Sequence, residues 1–125
     1  MTTDELKERF RKFSIRIVRM VNAMPNTIAG NAIAKQIIRS GTSSAANYSA
    51  ACLAKSNKDF LNKLKIVEEE IDETGHWLSI IIDAELLPAN QVSSLYDEAV
   101  ELKRIVIRSI KTIKQTIDAK ERIAE

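Results

Sequence analysis

The stretch FLNKLKIVEEEIDETGHWLSII, residues 60–81, decides the fold. Phe60, Leu64, Val67, Ile71, Thr74, Leu78 and Ile81 recur at spacings of four and three, a nearly unbroken heptad ladder. Side chains at that period return to one face of a helix, so the stretch predicts an amphipathic helix rather than a strand. Ser56 stands ahead of it as an N-cap, and Asp59 in the first turn suits the positive end of the helix dipole. Leu87-Pro88 closes the segment, which runs over about 56–87.

The same period continues on both sides. Upstream, Leu6, Phe10, Phe13, Ile17, Met20 and Met24 predict a helix over about 4–24, with Thr2 and Glu5 spaced as a capping box and Pro25-Asn26 as its stop. Ile33, Ile37, Gly41, Ser44, Tyr48 and Ala51 predict a second over about 27–54. That helix is rich in Gly, Ala and Ser, so another backbone can come close to it. Downstream, Val92, Leu95, Ala99, Leu102, Val106, Ile110, Ile113 and Ile117 predict a helix over about 90–117, and the polar residues 119–125 are expected to fray. Long helices with very short connections favour antiparallel neighbours. The expected fold is an all-α, up-down-up-down four-helix bundle forming one domain, residues 1–125.

Composition agrees. The chain has 125 residues, 45% hydrophobic and 29% charged, with three Gly, two Pro and one Cys. The apolar fraction is too high for a disordered chain, and Gly and Pro are too few for a turn-rich β protein. One Cys excludes an intrachain disulfide or a four-Cys zinc site. No apolar run approaches the ~18 residues of a membrane helix. Met1-Thr2-Thr3-Asp4-Glu5 does not read as a signal peptide, and the expected location is the cytoplasm.

A net charge of +2 conceals strong segregation. Residues 9–58 carry nine bases and no acid, and residues 59–101 carry two bases and eleven acids. Residues 102–125 return seven bases against three acids. Such asymmetry points to an anionic partner or to association between opposite patches. The apolar faces are also wider than a two-per-heptad seam. Ile15, Val18, Ile38, Leu53, Leu61, Ile66, Trp77, Ile80, Val100 and Ile107 flank the ladders. They read either as a broad core face or as a second interface between copies of the chain.

An ordered set of residues resembles a known family. Gln36, Arg39 and Ser40 form Q-x-x-R-S, followed by Asn47-Tyr48 and Ala50-Ala51-Cys52. Ser56, Asp59-Phe60, Lys63-Leu64 and Ile66-Val67-Glu68-Glu69-Glu70 come next, and then Glu70, Glu73-Thr74 and Trp77-Leu78 in the pattern E-x-x-E-T-x-x-W-L. The set, densest over residues 36–87, resembles the bacterial four-helix bundle family of the 23S rRNA intervening-sequence proteins, and more distantly the accessory protein of diversity-generating retroelements. The resemblance implies a homopentameric ring, no established enzymatic activity and, from the distant relative, association with nucleic acid. Ser49 and Leu53 stand where many relatives carry Arg.

Chemistry is sparse. His76, the only histidine, lies in Glu73-x-x-His76, but a di-iron bundle site needs two such motifs and two further carboxylates facing inward. Thr74, not Glu73 or His76, is on the ladder, so no metal and no other cofactor is expected. The carboxylates from Glu68 to Glu73 have no nucleophile or phosphate loop beside them, so no catalytic residue is assigned. Glu70 and Glu73 are instead candidates for a structural ion pair with Arg39, and Trp77 and Ile80 for packing or an interface. Cys52 reads as a small packed residue and Tyr48 as core.

The basic residues carry the external signal. Arg9, Arg11, Lys12, Arg16 and Arg19 lie on the first helix, and Lys103, Arg104, Arg108, Lys111 and Lys114 on the fourth. First and fourth helices are antiparallel neighbours in such a bundle. The expectation sets Arg11 and Lys12 level with Lys111, and Arg16 and Arg19 level with Arg104 and Arg108. The resulting basic band would bind RNA or DNA phosphates. The alternative is a structural or adaptor oligomer whose charges serve contacts with other subunits or another protein. No membrane partner is expected.

Overall fold

The computed structural model describes residues 1–124 and contains four α-helices: α1 (Thr3–Val21), α2 (Ile28–Cys52), α3 (Asn57–Asp83) and α4 (Ala89–Ala124). Among the described residues there is no strand. Three helices start where the sequence places a hydroxyl cap. Thr2 accepts from the Glu5 amide at 3.1 Å, Thr27 from Gly30 at 3.0 Å and Ser56 from Asp59 at 3.1 Å. Each cap satisfies an amide that the helix itself leaves unpaired.

Helices adjacent in sequence pack against each other, and α4 closes back on α1 along the loosest seam. The ladders form the core. Phe10, Ile17, Ile37, Leu64, Val67, Leu78, Ile81, Val92, Leu102 and Val106 are fully buried. Phe10 stacks on Tyr48 with ring centroids 5.1 Å apart. Burial holds the Tyr48 hydroxyl in its neutral form, with neighbouring Cys52 adding to the effect and Thr3 opposing it; its pKa is raised to about 12.

The small-residue stretch of α2 lets α1 approach closely. A Cβ added at Gly41 would stand 2.9 Å from Ile17 Cγ2, and Ser14 Oγ donates to the Gly41 carbonyl at 3.1 Å. On the other side of α2 the buried hydroxyls of Ser40 and Thr74 share a hydrogen bond at 3.0 Å, and Thr74 also donates to the Glu70 carbonyl at 2.8 Å. This link ties α2 to α3 inside the core without leaving a polar atom unpaired.

The fourth helix departs from the expectation. It does not fray at residue 119 but continues to Ala124. No Gly or Pro follows Pro88 to break it. Ala119 is half-buried, and Glu121 pairs with Lys58 at the start of α3 at 3.4 Å. The wide apolar flanks divide. Leu61 and Trp77 pack against the core, whereas Val18, Ile38, Leu53, Ile66 and Ile107 remain exposed. Among the described residues no helix is long and apolar enough to cross a membrane.

Candidate nucleic-acid interface

The α1–α4 seam sets the register of the basic residues, and it differs from the expected one. Arg9 forms a two-pronged ion pair with Glu98, Nε to Oε2 at 2.8 Å and Nη2 to Oε1 at 2.7 Å. This hydrogen-bonded carboxylate raises the Arg9 pKa further, against the opposing effect of burial. Arg16 donates to Ser94 Oγ at 2.9 Å. Arg16 and Arg19 line a shallow depression with Leu87, Gln91 and Leu95. They therefore stand level with the first turns of α4, not with Arg104 and Arg108. Arg108 lies instead beside Met1–Thr3, at the start of α1. Lys111 and Lys114 lie beyond it, so they do not stand opposite Arg11 and Lys12.

Arg11 leaves the band altogether. It faces the α1–α2 seam, in a depression shared with Asp4, Glu8, Ala45, Ala46 and Ser49. Within the band, carboxylates interrupt the positive field. Glu98 occupies Arg9. Glu101 Oε2 and Oε1 stand 3.7 Å and 3.6 Å from Arg104 and Arg108, beyond the ~2.7–2.9 Å of a strong charge-assisted hydrogen bond. Lys103 turns the other way and donates to Asp72 of α3 at 2.6 Å. Among the described residues Arg11, Lys12, Arg19, Lys111 and Lys114 make no ion pair with a carboxylate. The band is thus two exposed basic clusters separated by Glu98 and Glu101. Sequence reasoning missed these two acids. The i, i+3 and i, i+7 spacings of Glu101 to Arg104 and Arg108 were the signal available; Glu98 required the register.

The second candidate group comes together on the α2–α3 face. Arg39 spans Glu70, at 3.1 Å, and Glu73. The Trp77 indole Nε1 donates to Glu73 Oε2 at 3.1 Å. Burial opposes ionisation of Glu73, but the Trp77 donor and Arg39 outweigh it and hold the carboxyl below its ordinary range. The Glu73 hydrogen bond likewise raises the Arg39 pKa. The Arg39 side chain is 49% exposed, so the pair is screened by solvent and contributes little to stability. Glu73 links the pair to the Trp77 ring, which also meets exposed His76 edge-on at 5.0 Å. Ile80 is half-buried nearby, one turn along α3. Among the described residues no cluster of His, Cys, Asp and Glu has the arrangement of a metal site.

The comparisons with known proteins agree with this architecture. The family model described as 23S rRNA-intervening sequence protein matches residues 4–108. A solved structure from Bacteroides thetaiotaomicron, described as a protein of unknown function from the S23 ribosomal protein family, superposes with a TM-score of 0.79. It is 36% identical, over 85% of this chain and 98% of that one. No curated protein matches the chain. With the family model covering α1 to just over half of α4 and a close structural match at this identity, the chain belongs to the family of 23S rRNA-intervening sequence proteins.

Proposed function

We propose that this protein is a non-enzymatic, homo-oligomeric bundle that associates with RNA or DNA through the basic clusters of α1 and α4. The observation that carries the reading is the exposed cations Lys12 and Arg19 of α1 and Lys111 and Lys114 of α4, for which no ion pair exists among the described residues. Uncompensated surface cations release counterions when they meet phosphates, which supplies sequence-independent affinity. The family's own description names an rRNA sequence, the same class of polyanion. A pentameric assembly, as the resemblance implies, would repeat the clusters and multiply their field. The location this reading expects is the cytoplasm.

The test is retention of generic RNA and DNA at several salt concentrations. Lys12, Arg19, Lys111 and Lys114 changed together to Ala should weaken binding of every sequence alike and flatten its salt dependence. Absence of binding at low salt, or indifference to the four changes, sinks the reading.

A second reading rests on the exposed apolar residues. Ile66 and Ile107 lie mid-helix, 43% and 42% exposed, and the half-buried Trp77 donates to Glu73 beside the other carboxylates of α3. These fit a structural or adaptor oligomer whose contacts join copies or another protein. Trp77→Glu or Ile80→Glu should then break the oligomer while helicity remains. A wild-type monomer by light scattering at micromolar concentration overturns it.

A further inference from the structure

The loose α1–α4 seam opens into a cleft of about 550 Å³ between the start of α1 and the second half of α4, within the roughly 300–1,000 Å³ of small-molecule sites. Its wall is apolar where helices meet: Leu6, Tyr48, Phe60, Ile105 and Ile113. Its rim is polar and carries Arg9, Glu101 and Arg108. The two arginines differ in their availability. Both prongs of Arg9 are taken by Glu98. Arg108 has only a long approach to Glu101, a carboxylate that it shares with Arg104, and its side chain is 69% exposed. Two guanidinium groups on one carboxylate leave an excess positive charge at the mouth of an apolar cleft.

We propose that this cleft binds a small amphiphile with an anionic head and an aliphatic tail, the head on Arg108 and the tail over Ile105 and Ile113. The charge selects the head. A planar fork takes a carboxylate or phosphate two-pronged, more strongly than the loose contact with Glu101 that it replaces. The wall selects the tail. Ile105, Phe60 and Ile113 are only half-buried, so an alkyl chain that covers them removes apolar surface from water. The proposal does not depend on nucleic-acid binding, because its ligand, wall and readout are separate.

Decanoate, decyl phosphate and decyltrimethylammonium, each below its micelle concentration, are titrated calorimetrically into the full chain. Saturable binding of either anionic amphiphile is expected, and the tighter of the two identifies the head group. Arg108→Ala should weaken it at least ten-fold. Thr112→Trp should block it; Thr112 is exposed on the rim, so the indole can fill the cleft without disturbing the core, and circular dichroism checks the fold. Equal binding of the cationic amphiphile, no saturable binding of the anionic ones, or unchanged affinity in either variant overturns the proposal. Dissociation of an oligomer by Thr112→Trp, with no decanoate binding, overturns it in favour of an interface between copies.

Discussion

At the scale of single residues, close packing at Gly41 makes the sharpest prediction. A methyl there meets Ile17 Cγ2 at 2.9 Å, Cγ1 at 3.0 Å and Cβ at 3.3 Å. Ile17 is fully buried and β-branched, so rotation about its side chain cannot move all three atoms away. Overpacking of this kind costs ~1–3 kcal/mol, of which about 1 is recovered because Ala is the better helix former. Gly41→Ala should therefore lower stability by up to ~2 kcal/mol in urea unfolding. Gly75→Ala has the opposite sign. Nothing stands within 4 Å of a Cβ added at Gly75, so only the helix preference acts, and stability should rise by about 1 kcal/mol. The sequence places Gly41 on the ladder of α2 and Gly75 off that of α3; the size of the effect at Gly41 is set by Ile17 across the gap. Tyr48 makes a prediction in pH. The fold favours its neutral phenol, so that contribution is intact below the ordinary pKa near 10 and is lost as the pH rises toward about 12. The unfolding midpoint should fall over that interval, and less steeply in Tyr48→Phe.

At the scale of elements, the turn between α3 and α4 shows how local rules fix a helix end. The Leu86 amide donates to the Ile81 carbonyl and the Glu85 amide to Ile82, at 3.0 Å and 3.1 Å, the pairing of a Schellman motif. The residue that makes this turn is Glu85, with φ of 57°. Glycine adopts that conformation without the steric penalty that an L side chain incurs. Glu85→Gly should thus stabilise the chain by ~0.5–1 kcal/mol, even though glycine gains more entropy on unfolding. Glu85→Val should destabilise it, because a β-branched residue is worst placed at positive φ. Thermal melting that ranks Val above Gly contradicts the motif. The rest of the element layout was legible beforehand for the same local reasons. Caps at Thr2 and Ser56 and the stop before Pro25 punctuate strong ladders, whereas α3 ends at Asp83, ahead of the Leu87-Pro88 stop expected for it, because the turn at Glu85 closes it first. The end of α4 was not legible, since its polar composition hid the contacts of Ala119 and Glu121 with the rest of the bundle.

At the scale of the molecule, what remained hidden was how far one helix slides past another. A heptad ladder matches its partner equally well after a shift of one or two repeats, so apolar patterning alone leaves the register open. Arg16 meets Ser94 rather than Arg104, a shift of ten residues along α4 or about 15 Å at 1.5 Å per residue. The short turns and the Arg9–Glu98 pair set the observed register, and it exchanges a continuous basic band for two clusters with Glu98 and Glu101 between them. The residues themselves were legible as cations; their compensation was not. That compensation also determines which carboxylate would limit binding of a polyanion under the proposed function. Glu98 is locked onto Arg9, so its removal would strand a half-buried guanidinium. Glu101 restrains Arg104 and Arg108 loosely, and both are exposed. Glu101→Gln should free them for phosphate while leaving the fold intact. If the α4 cluster binds nucleic acid, the variant should bind generic RNA several-fold more tightly at low salt. Its slope of log affinity against log salt should steepen by about one, the signature of roughly one further phosphate neutralised. Arg104→Ala should shift the slope by the same amount in the other direction. Fluorescence anisotropy over a salt series measures both, and identical slopes for Glu101→Gln and the wild type would remove Arg104 and Arg108 from the interface, leaving Lys12 and Arg19 of α1 and Lys111 and Lys114 of α4 as its remaining cations.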